Sequence, residues 1–368
     1  MTRESPSLQP MVEGRIWSCD MREKRAWDIV YLVWFSPSSE YHSIMKLPHF
    51  LKENFNISFL SSFKTEAVAR YYFDITSYDD ILLLPEVLWF GKESWIPSVI
   101  IGWGTNCLFA FDRYEGIIIR NRYTGYSEPY ESKGHKAIIV HSGEMSTSFS
   151  ISLYQHYSIS TLIPWVGLPG TMWGACIGNA GCFGLEMTDM LLEAKVLDLE
   201  TGVILTYKHD DLKYAYRESI LKGNEQYFVI EMILDISPRE GNVYESYTPA
   251  DLQALRKLKQ PPGFSCGSFF KNPKVSDYHE WVWGMEDLIG ERNHIEAFSA
   301  GKLIDQAWLK DTRVGWVRVS DRHGNFFIND SKWTWKDILS LRDLVKQTVR
   351  EKYNIELHEE VRIITNEL

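Results

Sequence analysis

The segment Leu168-Pro-Gly-Thr-Met-Trp-Gly-Ala-Cys-Ile-Gly-Asn-Ala-Gly-Cys-Phe-Gly184 sets five glycines among small residues directly after an apolar run, and it constrains the fold more than any other stretch. Glycine tolerates positive φ and carries no Cβ. Closely spaced glycines therefore suit a loop whose N–H groups approach a phosphate or a planar ring. For one isolated cluster, a set of tight turns without a ligand is the alternative. A second loop of this kind, Ile101-Gly-Trp-Gly-Thr-Asn106, follows the strand-like run Ser98–Ile101 and precedes another apolar run. Two such loops can close on one cofactor.

With 368 residues, of which 45% are hydrophobic, the chain can bury a large core in two or three domains. A formal net charge of −10 argues against a nucleic-acid footprint, which needs a basic face. The five cysteines, Cys19, Cys107, Cys176, Cys182 and Cys266, contain no CxxC pair and leave an odd count. Neither a metal site nor a disulfide framework is expected from them, and a reducing cytoplasm fits best. The apolar run Ile29–Phe35 is too short to span a bilayer, so no membrane partner is expected either.

Residues 1–45 mix Pro, Ser, Arg, Glu and Trp without a period and read as an extension of unknown role. Beyond them Phe63–Ile75, Ser98–Ile101, Gly116–Arg120 and Ala137–His141 read as strands, with a helix between the first two. Ala194–Asp198, Val203–Tyr207 and Tyr227–Asp235 form a second β-rich block. A helix over Thr248–Lys259, entered through a Thr or Asp cap, is broken by Pro261-Pro-Gly. Next come a helix over Ala300–Ala307 and strands near Val314–Val319 and Phe326–Asn329. In the long helix that follows, Ile338, Leu341, Val345 and Val349 share a core-facing stripe, with Asn354 at its C-terminal turn. A final strand is expected over Ile355–Ile364.

Five segments in order carry a family likeness: Gly102-Trp-Gly-Thr-Asn106, Leu168–Gly184, Tyr216-Arg-Glu-Ser219, Gly267-Ser-Phe-Phe-Lys-Asn-Pro273 and Glu360-Val-Arg362. Ala300-Gly-Lys-Leu-Ile-Asp-Gln306 adds to them. Over roughly residues 50–366 the chain resembles the UDP-N-acetylenolpyruvoylglucosamine reductase family, flavoenzymes that make the muramic acid precursor of bacterial peptidoglycan. The resemblance implies an α+β fold: a two-subdomain FAD-binding region of the vanillyl-alcohol oxidase type at 46–240, split near 135, and a C-terminal α/β substrate-binding domain at 241–368. It also implies non-covalent FAD, NADPH as hydride-donating co-substrate, UDP-N-acetylglucosamine enolpyruvate as the substrate, and a monomer.

By the same resemblance Gly102, Trp103, Gly104, Thr105 and Asn106 cradle the FAD pyrophosphate. Gly170, Thr171, Gly174, Gly178, Asn179, Ala180, Gly181 and Gly184 pass along the ribityl chain and ring. Hydride delivery to the enolpyruvyl methylene carbon leaves negative charge on the adjacent, carboxylate-bearing carbon. Arg217 suits that charge, because a planar guanidinium can grip a carboxylate with two hydrogen bonds. Ser268 is the matching proton donor and Glu360 the matching acid, chosen over its neighbour Glu359 for its place before Val361-Arg362. Tyr216, Lys271, Asn272 and His323 fall where the family holds substrate; for His323 a structural histidine is the alternative. The short interval from Arg217 to Ser268 is that of the subgroup without a tyrosine-bearing substrate loop. An FAD enzyme of the same fold with another substrate, and a flavin-free nucleotide-sugar binder, are the competing readings.

Trp103, Trp173, Trp308 and Trp316 stand where the family has glycine, and Trp333 is a further candidate. An indole in a glycine-only backbone conformation costs on the order of 1–3 kcal/mol. Drift does not choose one costly exchange repeatedly, and the hypothesis that follows is a gene whose UGA codons are read as glycine in the cell. It predicts UGA at codons 103, 173, 308 and 316; reading the gene checks this, and UGG there contradicts it.

Overall fold

A computed structural model describes residues 47–239, 241–278, 285–292, 295–330 and 335–366. The extension 1–45 and Trp333 lie outside the described residues. The strand Arg113–Asn121 holds the first sheet together, because Ile117, Ile118 and Ile119 are all fully buried, which takes a strand covered on both faces. Around it four strands run in the order Lys52–Asn56, Val68–Ile75, Arg113–Asn121, Ser98–Ile101. The first pair is antiparallel and the other two are parallel. Helices Tyr78–Leu82 and Leu84–Glu93 make the crossover, the first opened by a reciprocal cap between Ser77 and Asp80. Left-handed Lys64 (φ +57°) turns the chain, so the strand expected from Phe63 begins at Val68.

The second sheet is antiparallel throughout, in the order Ile204–Lys208, Leu191–Asp198, Tyr227–Asp235, His135–His141, Tyr130–Ser132. The change of sheet falls between Asn121 and Tyr130. Asp198 accepts from the N–H groups of Glu200 and Thr201, closing the turn that the Glu200-Thr-Gly sequence announces. The two glycine loops leave these sheets next to each other: Ile101 ends a strand of the first, and Leu168–Gly184 lies between strands of the second.

Helix Pro249–Lys259 starts at Thr248, whose hydroxyl and Asp251 cap one another reciprocally. Beyond it the strands Arg313–Val314, Val317–Val319 and Phe327–Asn329 form a small antiparallel sheet. Helix Trp335–Tyr353 buries Ile338, Leu341, Val345 and Val349 in the same core as that sheet, and Asn354 takes the left-handed turn (φ +54°). The final strand is shorter than expected, Arg362–Ile364. Residues just before it bond instead to the 268–271 segment: Glu360 N–H donates to the Phe269 carbonyl, and Lys271 N–H to that of His358. Arg362–Ile364 then pairs in parallel with Cys107–Phe109, returning the chain's C-terminal part to the first glycine loop.

Among Trp103, Trp173, Trp308 and Trp316, left-handed strain applies to Trp308 alone (φ +61°), which is 87% exposed. Trp103, Trp173 and Trp316 have negative φ, and Trp95 is a further left-handed tryptophan (φ +56°). No described helix is long and apolar enough to cross a membrane, and no described group of His, Cys, Asp and Glu could hold a metal.

Candidate active site

The two glycine loops are in contact, and their glycines make the contact possible. A Cβ on Gly102 would sit 2.4 Å from the Thr171 hydroxyl oxygen. Gly104 is left-handed (φ +66°), and a Cβ there would meet the Leu60 carbonyl oxygen at 2.3 Å. Within this turn the N–H groups of Trp103, Gly104, Thr105 and Asn106 have no acceptor among the described residues. Such a nest of free donors is a cradle for an anion such as a diphosphate. It opens on a cleft of about 1460 Å³, large enough for a dinucleotide. Gly102, Trp103, Gly104, Thr105, Asn106, Gly170, Thr171, Gly174, Gly178, Ala180, Gly181 and Gly184 line it. The residues present therefore fit FAD.

Asn179 does not line that cleft. Its side chain is buried, donating to Glu186 Oε2 and to the Ala215 carbonyl while accepting from the Thr188 N–H. Its main-chain carbonyl accepts from Arg217 Nη1 at 3.1 Å, and the Gly181 carbonyl accepts from Nη2 at 3.0 Å. The second glycine loop thus holds the guanidinium. On the other edge Arg217 Nε donates to Glu360 Oε1 at 3.0 Å. Burial alone would weaken the charged form, but Glu360, followed by Tyr216 and Glu186, overrides it and keeps Arg217 charged.

Glu360 is in turn fixed by its neighbours. Asn106 of the first loop donates its Nδ2 to the Glu360 carbonyl at 2.9 Å, and the Glu360 N–H bonds to Phe269, next to Ser268. Arg217, Ser268 and Glu360, far apart in sequence, line one cleft. Glu359 also lines the cleft, but its carboxylate is paired with Lys346 at 3.2 Å and Arg342 at 3.7 Å. Nε, one Nη1 hydrogen and one Nη2 hydrogen of Arg217 are engaged, so a two-pronged grip on a substrate carboxylate that uses the Nε edge requires Glu360 to leave.

Lys271 and Asn272 line the cleft. Lys271 Nζ bonds Glu218 at 2.6 Å. Burial would raise the Glu218 carboxyl, but Lys271 and then Lys222 hold it below the ordinary carboxylate range. Asn272 Oδ1 accepts from the Ala300 N–H, which leaves its amide nitrogen for a ligand. Tyr216 and His323 are outside the cleft lining. Tyr216 lays its ring against the Arg217 guanidinium. His323 packs on Phe326 and accepts from the Asn325 N–H through Nδ1, and burial pushes its pKa down, as for a neutral structural imidazole. Burial also raises the thiols of Cys107 and Cys176 to about 11, so they stay protonated near neutrality.

Trp103 stacks over the guanidinium of buried Arg120, 4.4 Å from ring centre to Cζ. Trp173 lines the cleft with its buried Nε1 unpartnered among the described residues. Neither Arg120 nor Glu186 was visible as a site residue in the sequence. Glu186 follows Gly184 by two positions, and nothing in that spacing distinguishes it from a surface acid.

Free N–H donors on glycine turns, beside a guanidinium, a hydroxyl and a carboxylate, define a dinucleotide-dependent oxidoreductase of α+β fold. Residues 257–364 match the family model of the UDP-N-acetylenolpyruvoylglucosamine reductase C-terminal domain. The reductase of Chloroflexus aggregans is 32% identical over 323 residues, 86% of this chain and 99% of that protein. That of Bacillus velezensis is 28% identical over 293 residues, 77% and 88% of the two chains. The crystal structure of the Thermus caldophilus reductase superposes with a TM-score of 0.63 at 23% identity, covering 86% of this chain and 99% of that one. The chain belongs to the UDP-N-acetylenolpyruvoylglucosamine reductase family, whose members are FAD-dependent and use NADPH.

Gly104→Ala should weaken FAD binding by about tenfold or more, since the left-handed turn and the Leu60 carbonyl both oppose a Cβ. Titration of the apoprotein with FAD measures it; unchanged affinity contradicts the cradle.

Proposed function

We propose that this enzyme reduces UDP-N-acetylglucosamine enolpyruvate to UDP-N-acetylmuramate at the expense of NADPH, as a cytoplasmic monomer serving peptidoglycan precursor synthesis. The observation that carries the reading is the convergence of Arg217, Ser268 and Glu360 on the cleft lined by the two glycine loops. FAD, when bound there, relays two electrons from NADPH to the enolpyruvyl group. Residues 46–240 hold it, and 241–368 close over the site and supply the contacts to substrate.

Arg217 stabilises the negative charge that develops at the carboxylate-bearing carbon, since a fixed guanidinium in a site shielded from water acts more strongly on new charge than water does. Glu360, displaced from Arg217 Nε by the incoming carboxylate, orients the enol form. Ser268 hands its hydroxyl proton to that same carbon. A serine hydroxyl is a weak acid, and a positive environment favours the alkoxide it leaves behind. Lys271 and the amide nitrogen of Asn272 hold the UDP moiety. Tyr216 acts through the face of Arg217, and His323 serves the local fold.

Ser268→Ala separates the two halves of the reaction. Reduction of the bound flavin by NADPH should stay within about twofold of the parent, and reoxidation by substrate should slow by roughly a hundredfold. Stopped-flow measurement of each half-reaction reads both rates. An unchanged reoxidation rate removes Ser268 from the chemistry.

A further inference from the structure

Arg217 faces two carboxylates, and they are held differently. Glu360, on the Nε edge, is 23% exposed. Glu186, on the Nη1 edge at 3.6 Å, is 4% exposed. Glu186 ends the second glycine loop, and its surroundings are fixed. Its N–H donates to the Asp189 carboxylate at 2.7 Å, its Oε2 accepts from Asn179 Nδ2 at 3.2 Å, and Asn179 Oδ1 accepts from the Thr188 N–H at 3.0 Å. Arg217 itself is left-handed (φ +59°), as is Asn179 (φ +41°), two non-glycine residues in a conformation that needs support from around them.

We propose that Glu186 is a positioning residue that keeps the Arg217 guanidinium aligned with the flavin loop while the substrate carboxylate takes Glu360's place at Nε. This rests on the role given to Arg217 above. Exchange of one carboxylate for another passes through a stage at which a nearly buried guanidinium has lost the partner on its open edge. Leaving a buried charge uncompensated is costly, and Glu186 compensates it throughout. Its burial is what makes the arrangement directional: the Nη1 edge stays tied to the loop, and only the Nε edge is free to change partner. The plane of the guanidinium is then set by the loop that holds the cofactor. Misalignment by a fraction of an ångström therefore lowers the rate of the substrate half-reaction more than it weakens substrate binding.

Glu186→Gln keeps the size of the side chain and an acceptor for Asn179 but removes the charge. In the holoenzyme it should leave FAD affinity and flavin reduction by NADPH within about twofold of the parent. It should slow flavin reoxidation by UDP-N-acetylglucosamine enolpyruvate by about tenfold, with KM raised less than about threefold. Glu186→Asp keeps the charge one methylene further back. It should slow the same step by an intermediate factor, and it decides the matter if the Gln variant does not retain flavin. Arg217→Lys, measured alongside, should slow reoxidation by more than either. Slow reoxidation in Arg217→Lys with parental rates in both Glu186 variants overturns the inference and leaves the role of Arg217 standing. Parental reoxidation in Arg217→Lys overturns that role first. Equal losses in FAD affinity and in both half-reactions would make Glu186 a structural residue only, and would also overturn the inference.

Discussion

The hydrogen bonds from Arg217 to the carbonyls of Asn179 and Gly181 tie the guanidinium to the second glycine loop, and the proposed chemistry depends on them. A backbone carbonyl can face a side chain in this way only where the loop bends sharply, and left-handed Asn179 in a run of glycines provides the bend. The glycines of that loop thus have two uses. They keep side chains out of the cleft, and they turn carbonyls toward a cation that would be unstable if buried without acceptors.

A second connection works from the opposite side. The Arg362–Ile364 strand pairs with Cys107–Phe109, and Asn106 donates to the Glu360 carbonyl, so the end of the chain is fixed to the loop that offers the free N–H groups. Glu360 N–H bonds to Phe269, which brings Ser268 to the same cleft. The guanidinium, the hydroxyl and the carboxylate are therefore each referred to one of the two cofactor loops. In the proposed reaction, once the substrate carboxylate has replaced Glu360 at Nε, groups held in this way act without further reorganisation as charge develops.

Local features were readable from the residues because their causes are local. Thr248 and Asp251 are three apart and cap each other, and Ile338, Leu341, Val345 and Val349 fall on one side of a helix whatever it packs against. Ser98–Ile101 and Tyr227–Asp235 are apolar runs bounded by turns, and they are strands with those same limits. What could not be read depends on partners distant in the chain. Arg217 and Glu360 are separated by 143 positions, so neither the occupied state of Nε nor the pairing of Glu359 with Lys346 has a sequence signature. Asn179 looked like a cofactor ligand from its place among glycines, and the buried carboxylate of Glu186 drew its side chain away. His323 stood in a family position, and its ring packs on Phe326 beside Gly301, outside the lining of the cleft.

In the proposed reaction FAD held by these loops would carry electrons from NADPH to an enolpyruvyl sugar nucleotide placed at Arg217, Ser268 and Glu360. The most direct measurement takes the holoenzyme reduced by one equivalent of NADPH in the absence of oxygen, mixes it with UDP-N-acetylglucosamine enolpyruvate, and follows the flavin absorbance. The oxidised flavin spectrum should return in full, with formation of an equal amount of UDP-N-acetylmuramate. Flavin that stays reduced in the presence of that substrate would contradict it.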